Sequence, residues 1–155
     1  MENIDSNPIS SLLRWKYPEN KFVYEKDVFL KQTTVMGNTY FSHYVEWQGE
    51  AREKFFLTHP AALIFMRTNP GLTLVTHSVT QHITGSTSFG DKVRIEVTTR
   101  DIEKYSMKLA FHFYSKKKLI GDGWQEIGFT NGTTNRKLPI PQLFLDLAES
   151  VKQST

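Results

Sequence analysis

The sequence predicts a two-layer α+β domain, with one long helix laid on an antiparallel sheet of about five strands. Three observations carry this: an amphipathic helical pattern over residues 41–57, a switch to period-two alternation from Leu72 onward, and turn-forming residues between the alternating segments. A chain of 155 residues, 39% of them hydrophobic, can bury one core of ordinary size, and no stretch reads as a linker between two.

Composition excludes several classes of function. Without cysteine there is no disulfide framework, thiolate nucleophile or thiolate metal site. A net charge of +3 suits an acidic protein or ligand partner better than nucleic acid, which would call for clustered Lys and Arg. The one cluster, Lys116-Lys117-Lys118, reads as a solvated turn. Met1-Glu-Asn-Ile-Asp-Ser is polar and acidic, and no apolar run reaches membrane-spanning length, so a soluble cytoplasmic protein without a membrane partner is expected.

Residues 1–20 carry the turn chemistry of Asn7-Pro8 and Tyr17-Pro-Glu-Asn20 and are expected to be a flexible leader, with a single domain over residues 21–155. Residues 22–30 are β-rich and make a first strand, after which Gly37-Asn38 supplies a turn. The long helix follows. With Phe41 at zero and about 100° per residue, Val45, Gln48, Arg52 and Phe55 return within about 40° of it, and Tyr44 and Phe56 lie about 60° to either side. His43, Glu46, Glu50, Glu53 and Lys54 face away. Tyr44, Gln48 and Arg52, each four residues apart, thus form a polar line beside an apolar stripe. An arginine on such a stripe needs a partner or a purpose.

His59-Pro60 breaks the helix, residues 61–67 are a short apolar helix, and Asn69-Pro-Gly71 is a turn. Residues 72–84, 92–102, 107–113 and 119–130 then alternate as half-buried strands, the last carrying Gly121, Gly123 and Gly128 where bulges or close backbone approach are expected. After Leu138-Pro-Ile-Pro141 a terminal helix presents Leu143, Phe144, Leu147, Ala148 and Val151 on one stripe.

Within that order, Thr34-Val-Met-Gly-Asn-Thr-Tyr-Phe-Ser-His-Tyr-Val-Glu-Trp-Gln-Gly-Glu-Ala-Arg-Glu53 resembles the signature of hotdog-fold thioesterases of the 4-hydroxybenzoyl-CoA thioesterase type. It looks closest to the branch that works beside enediyne polyketide synthases, in which Gly-Asn-x-Tyr-Phe, Tyr-x-x-Trp-Gln-Gly and Arg-Glu occur together at this spacing. Phe89-Gly-Asp91, Gly123-Trp-Gln-Glu126 and the Leu-Pro-Ile-Pro exit agree more weakly. The resemblance implies a sheet wrapped round the central helix, dimers or tetramers with the active site at the subunit interface, and no cofactor. The implied activity is hydrolysis of an acyl thioester on the phosphopantetheine of a carrier protein or of coenzyme A. Family members often carry an aspartate four residues before Asn38, and the enediyne branch usually an asparagine; here the position is Thr34. The catalytic set implied is Thr34, Asn38 and Arg52, with Gly37, Phe41, Tyr44 and Gln48 binding substrate. If the substrate is a β-ketoacyl chain, Arg52 is expected to bind the keto oxygen or the freed carboxylate and to assist loss of carbon dioxide. Thioester hydrolysis passes through an oxyanion, for which backbone donors around residues 38–41, at the positive end of the helix, are the candidates.

Each residue also has a plainer reading. Arg52 could pair with a carboxylate, Gly37-Asn38 could be only a turn and cap, and Tyr44 could be a core aromatic with a satisfied hydroxyl. His77 and His82 lie on opposite strand faces, and no set has metal-ligand spacing. There is no Gly-x-Ser-x-Gly elbow. Phe111, Phe113 and Tyr114 near the lysine run read as core, not as a nucleic-acid platform. A general acyl-CoA thioesterase and a non-catalytic acyl-binding hotdog protein are the alternatives, the second kept open by the absent carboxylate.

Overall fold

The computed structural model describes residues 8–17 and 19–153, and from the first strand to the last helix its elements follow the predicted order, with one two-residue strand added. Helix α1 (Pro8–Lys16) precedes strand β1 (Phe22–Asp27); a short 3-10 turn at Leu30–Gln32 leads to the long helix α2 (Ser42–Phe56) and to α3 (Ala62–Thr68). Strands β2 (Leu72–Ile83), β3 (Lys92–Arg100), β4 (Met107–Ser115), β5 (Lys118–Asn131) and the two-residue β6 (Lys137–Leu138) complete the sheet before helix α4 (Gln142–Ser150). All paired strands are antiparallel, in the order β1-β3-β4-β5-β2, with β6 added to β5. β1 and β2 are therefore the two edges of the main sheet.

The period-two pattern sends Val93, Ile95 and Val97 of β3, Leu109, Phe111 and Phe113 of β4, and Ile127 and Phe129 of β5 to one face, all buried. Helix α2 crosses that face against β1, β3 and β2, which is the sheet wrapped round a central helix that the resemblance implies. Phe111 and Phe113 are core residues, and Lys116 and Lys117 take left-handed backbone conformations in the β4–β5 turn. α4 closes the far end: Phe144 packs edge-on to Phe56 at 5.0 Å and against Phe129 at 4.8 Å, and the Thr99 hydroxyl donates to the Ala148 carbonyl.

Two expectations are corrected. Residues 8–17, expected within a flexible leader over 1–20, instead hold α1, which packs on α4, and bring Leu13 and Tyr17 into the core; the Tyr17 ring meets Phe22 edge-on at 5.8 Å. The short run of apolar residues is enough for one helical face once α4 is there to receive it. Residues 1–7 and 18 of that expected leader lie outside the described residues.

The buried stripe of α2 is the second. It consists of Tyr44, Trp47, Gln48, Ala51, Phe55 and Phe56, while Phe41 is 60% and Val45 38% exposed. The face is rotated by about 60° from the predicted one. Trp47 sets the angle, because its indole ring carries far more apolar area into the core than Val45 could. The rotation leaves Phe41, Val45 and Arg52 on the flank of the helix, not beneath it.

Candidate functional site

The segment before α2 folds back on itself. Thr33 and Thr39 form an isolated antiparallel bridge, and Gly37, at φ +89°, makes the reversal that a side chain would strain. The Thr34 N–H donates to the Asn38 carbonyl at 2.7 Å and the Gly37 N–H to the Thr34 carbonyl at 2.9 Å. The same two residues also join by side chain: the Thr34 hydroxyl donates to Asn38 Oδ1 at 2.5 Å and accepts from the Met36 N–H at 3.1 Å. The hydroxyl proton is thus committed to an amide, not to a base, and Asn38 keeps its NH2 donors. Val35 and Met36 stand exposed at the tip of the loop.

The loop is fastened to the segment after β2. The Thr39 N–H donates to the Thr87 carbonyl at 2.8 Å, and the Thr39, Thr87 and Tyr44 hydroxyls form a buried chain with links of 2.7 and 2.8 Å. Tyr44 is 2% exposed and sits edge-on to Phe113 at 5.9 Å. Its hydroxyl is therefore spent on fold contacts.

Between the two segments lies a cavity of about 200 Å³, lined by Thr34, Asn38, Phe41 and Tyr44 from one side and by Ile83, Gly85 and Ser86 from the other. No carboxylate lines it. The amides expected to bind an oxyanion are partly in use, since those of Thr39 and Tyr40 donate to Thr87 and Gln32. Those of Phe41 and Ser42 have no partner among the described residues, because α2 starts without a side-chain cap. Larger clefts of about 540 and 430 Å³ open on the outer face of the sheet among charged side chains such as Lys21, Glu96, Lys92 and Lys116, and none of these residues borders the start of α2.

Gln48 and Arg52 lie elsewhere. Gln48 is fully buried; its Nε2 donates to the Thr80 carbonyl at 2.9 Å and to Gln81 Oε1 at 2.6 Å, and its Oε1 accepts from Gln125 Nε2 at 3.2 Å. Gly123 makes this possible, as a Cβ there would collide with the Thr80 carbonyl and with Gln48 itself. Arg52, about 12 Å further along the helix axis than Tyr44, donates from Nη1 to Thr76 Oγ1 at 2.8 Å and to Gln125 Oε1 at 2.9 Å. Its Nε is buried without a partner, and no carboxylate stands at ion-pair distance among the described residues. Burial pushes the guanidinium pKa down from its ordinary value.

The structure therefore brings Thr34, Asn38, Phe41 and Tyr44 to one cavity, places Gly37 in the turn behind them, and sets Gln48 and Arg52 apart. The expected continuous polar wall is broken at Gln48, which points into the sheet. Thr39, Thr87 and Ser86 were not singled out, since hydroxyls in loops carry no periodic signal. Gln125 was readable: it is a polar residue on the buried phase of an alternating strand.

The sequence matches the thioesterase-like superfamily over residues 26–148, most of the chain and the whole of this site. The chain belongs to the thioesterase-like superfamily. It is by family a thioester hydrolase. Solved structures with the same fold include the dynemicin thioesterase, whose crystal structures concern polyene binding, at TM-score 0.80 and 21% identity over 87% of this chain and 99% of that one. A 1,4-dihydroxy-2-naphthoyl-CoA thioesterase from Synechocystis superposes at TM-score 0.76 and 17% identity, covering 83% of this chain and 95% of that one. A gentisyl-coenzyme A thioesterase does so at 0.71 and 22%, covering 82% and 99%. These similarities establish the α+β hotdog fold for the superfamily member. No curated protein matches it in sequence. No helix among the described residues is long and apolar enough to cross a membrane, and none of their His, Asp and Glu side chains group as a metal site.

Proposed function

We propose that the chain hydrolyses an acyl thioester carried on phosphopantetheine, with a β-ketoacyl or polyene chain on an acyl-carrier protein of polyketide biosynthesis as the substrate. The observation that carries this reading is the carboxylate-free cavity at the start of α2, where the amides of Phe41 and Ser42 are unpaired and Asn38 keeps free donors. In it the thioester carbonyl accepts from those amides, which stabilise the oxyanion as it forms. Thr34 and Asn38 hold the attacking water by hydrogen bonds, and Phe41 and Tyr44 border the acyl chain. Arg52, about 12 Å along the helix axis from Tyr44, cannot reach a β-keto oxygen one methylene from a thioester held at the same copy's amides. Brought to the cavity of a second copy, it binds the β-keto oxygen or the acid released, and favours loss of carbon dioxide from a β-keto acid by holding the enolate oxygen that develops. The polyketide setting rests on the motif resemblance and on the structural similarity to the dynemicin thioesterase.

The cavity is open, and Phe29, Leu30, Val35, Met36 and Phe89 are exposed on the loops beside it, while β2 is an unpaired edge. A second copy of the chain covering these groups would complete the site, giving a cytoplasmic dimer or tetramer. General acyl-CoA hydrolysis is the second reading, favoured by structural neighbours described as CoA thioesterases or bound to CoA.

Release of free acid or methyl ketone from matched acyl-carrier-protein and acyl-CoA substrates tests the proposal. A preference for the carrier substrate is expected; a preference for CoA selects the second reading, and no release from either defeats both.

A further inference from the structure

Arg52 is held by an unusual set of partners. A half-buried guanidinium normally answers to a carboxylate, yet here every partner is neutral. The partners form a directed chain. Arg52 Nη1 donates to Gln125 Oε1, Gln125 Nε2 to Gln48 Oε1, Gln48 Nε2 to Gln81 Oε1, and Gln81 Nε2 to the His82 carbonyl at 3.1 Å. Each amide thus presents its oxygen toward Arg52 and its nitrogen away from it, and flipping any one would set donor against donor. Chains with one sense of donation strengthen each link in a buried setting.

The geometry at the guanidinium follows from the same bonds. Nη1 uses both of its N–H groups, on Gln125 and Thr76, so the ion cannot rotate freely. Nε is enclosed without a partner, while Nη2 has no hydrogen-bond partner among the described residues and is the donor left for a ligand oxygen. Burial already disfavours the charge at this position, so a ligand oxygen that neutralises it is bound the more strongly.

Glu53 acts on the charge only through space. We propose that Gln125, backed by Gln48 and Gln81, is a positioning residue that aims Arg52 through a neutral hydrogen bond, and so leaves the guanidinium for an anionic or enolate oxygen of a β-ketoacyl substrate or product. This rests on the thioesterase reading above and assigns its β-keto selectivity to a glutamine relay. A glutamate at position 125 has nearly the same shape and would also accept from Arg52, but would cancel the charge. Position 125 therefore acts twice, by the hydrogen bond that holds Arg52 and by the neutrality that leaves its charge in use, and glutamate also sets an oxygen against Gln48 Oε1.

The test is a double-mutant cycle on the full chain with Gln125→Glu, Arg52→Ala and both together. kcat/KM is measured for a β-ketoacyl-CoA and for the saturated acyl-CoA of the same length, with thermal unfolding as the control for folding. Gln125→Glu is expected to lower kcat/KM for the β-ketoacyl thioester by about ten- to hundredfold, to change the saturated one by less than about threefold, and to add nothing once Arg52 is alanine. If Gln125→Glu does not fold, Gln125→Met, which removes the acceptor without adding charge, is expected to show the same selective loss to a smaller degree. Equal losses on both substrates, or the same loss with and without Arg52, overturn the relay and leave the thioesterase reading standing. A wild-type chain that releases acid from neither thioester, whether carried on coenzyme A or on a carrier protein, defeats that reading, and the relay with it.

Discussion

The two ends of α2 treat polar groups in opposite ways. At its start, hydroxyls satisfy one another: Tyr44, Thr87 and Thr39 form a buried chain, and Thr34 donates to Asn38, while the backbone amides of Phe41 and Ser42 and the Asn38 NH2 remain unused among the described residues. Further along, Gln48, Gln81 and Gln125 satisfy one another and leave a charge unused on Arg52. In the proposed function, one end offers donors for a developing oxyanion, the other a cation for an oxygen that is already charged. Both do so without a carboxylate, which would compete with the substrate at either place.

That contrast can be broken most severely at Gly123. Gly123→Ala drives a methyl into the Thr80 carbonyl and Gln48, and is expected to cost about 3 kcal/mol or more and to lower Tm by roughly 6–12 °C, read by calorimetry. The start of α2 does not touch this residue, so hydrolysis of a saturated thioester below the transition should persist. Arg52→Ala comes next. It should lower kcat/KM for a β-ketoacyl thioester by about a hundredfold with a change in Tm of several degrees, because Thr76 is exposed but the buried Gln125 Oε1 loses its donor.

Smaller effects separate the hydroxyls. Thr34→Val removes the donor to Asn38 Oδ1 and should reduce kcat by about tenfold on saturated and β-keto substrates alike, a kinetic comparison that an Arg52-like role would fail. Tyr44→Phe should cost about 1 kcal/mol of stability and less than about threefold in kcat, since Thr39 and Thr87 still pair. A larger kinetic loss would move the Tyr44 hydroxyl from the core into the chemistry.

The least effect is on pH dependence away from the site. His59 is buried with Nδ1 accepting from the Ala61 N–H, and burial lowers its pKa below the ordinary value of 6.5. The unfolded chain then binds the proton more readily than the folded one. Stability from this group is intact above 6.5, falls as the pH drops through 6.5 toward the folded pKa, and levels off below that. His59→Gln should flatten this part of a denaturation profile measured between about pH 7 and 5.

Much of this was legible in the chain. The alternation of Lys92-Val93-Arg94-Ile95 and Met107 through Phe113, the breaks at His59-Pro60 and Asn69-Pro70, and Gly37-Asn38 before a helix are local signals, since pleat, helix period and turn conformation are set by neighbouring residues. They determined the element order, the α+β class and the motif that places the chain among thioesterases. The helical stretch near the N-terminus was hidden by Asn7-Pro8 and by its shortness, because α1 is held by packing on α4, far off in sequence. The angle at which α2 lies was also not local: it depends on where Trp47 finds room against the sheet, and that rotation carried Arg52 to the flank and Gln48 into the interior. The sequence alone thus determined which polar residues share one helix. Only the tertiary structure decided which of them meet, because Gln81 and Gln125 reach α2 through strand pairing and Thr87 through the loop after β2, partners that no short window of sequence contains.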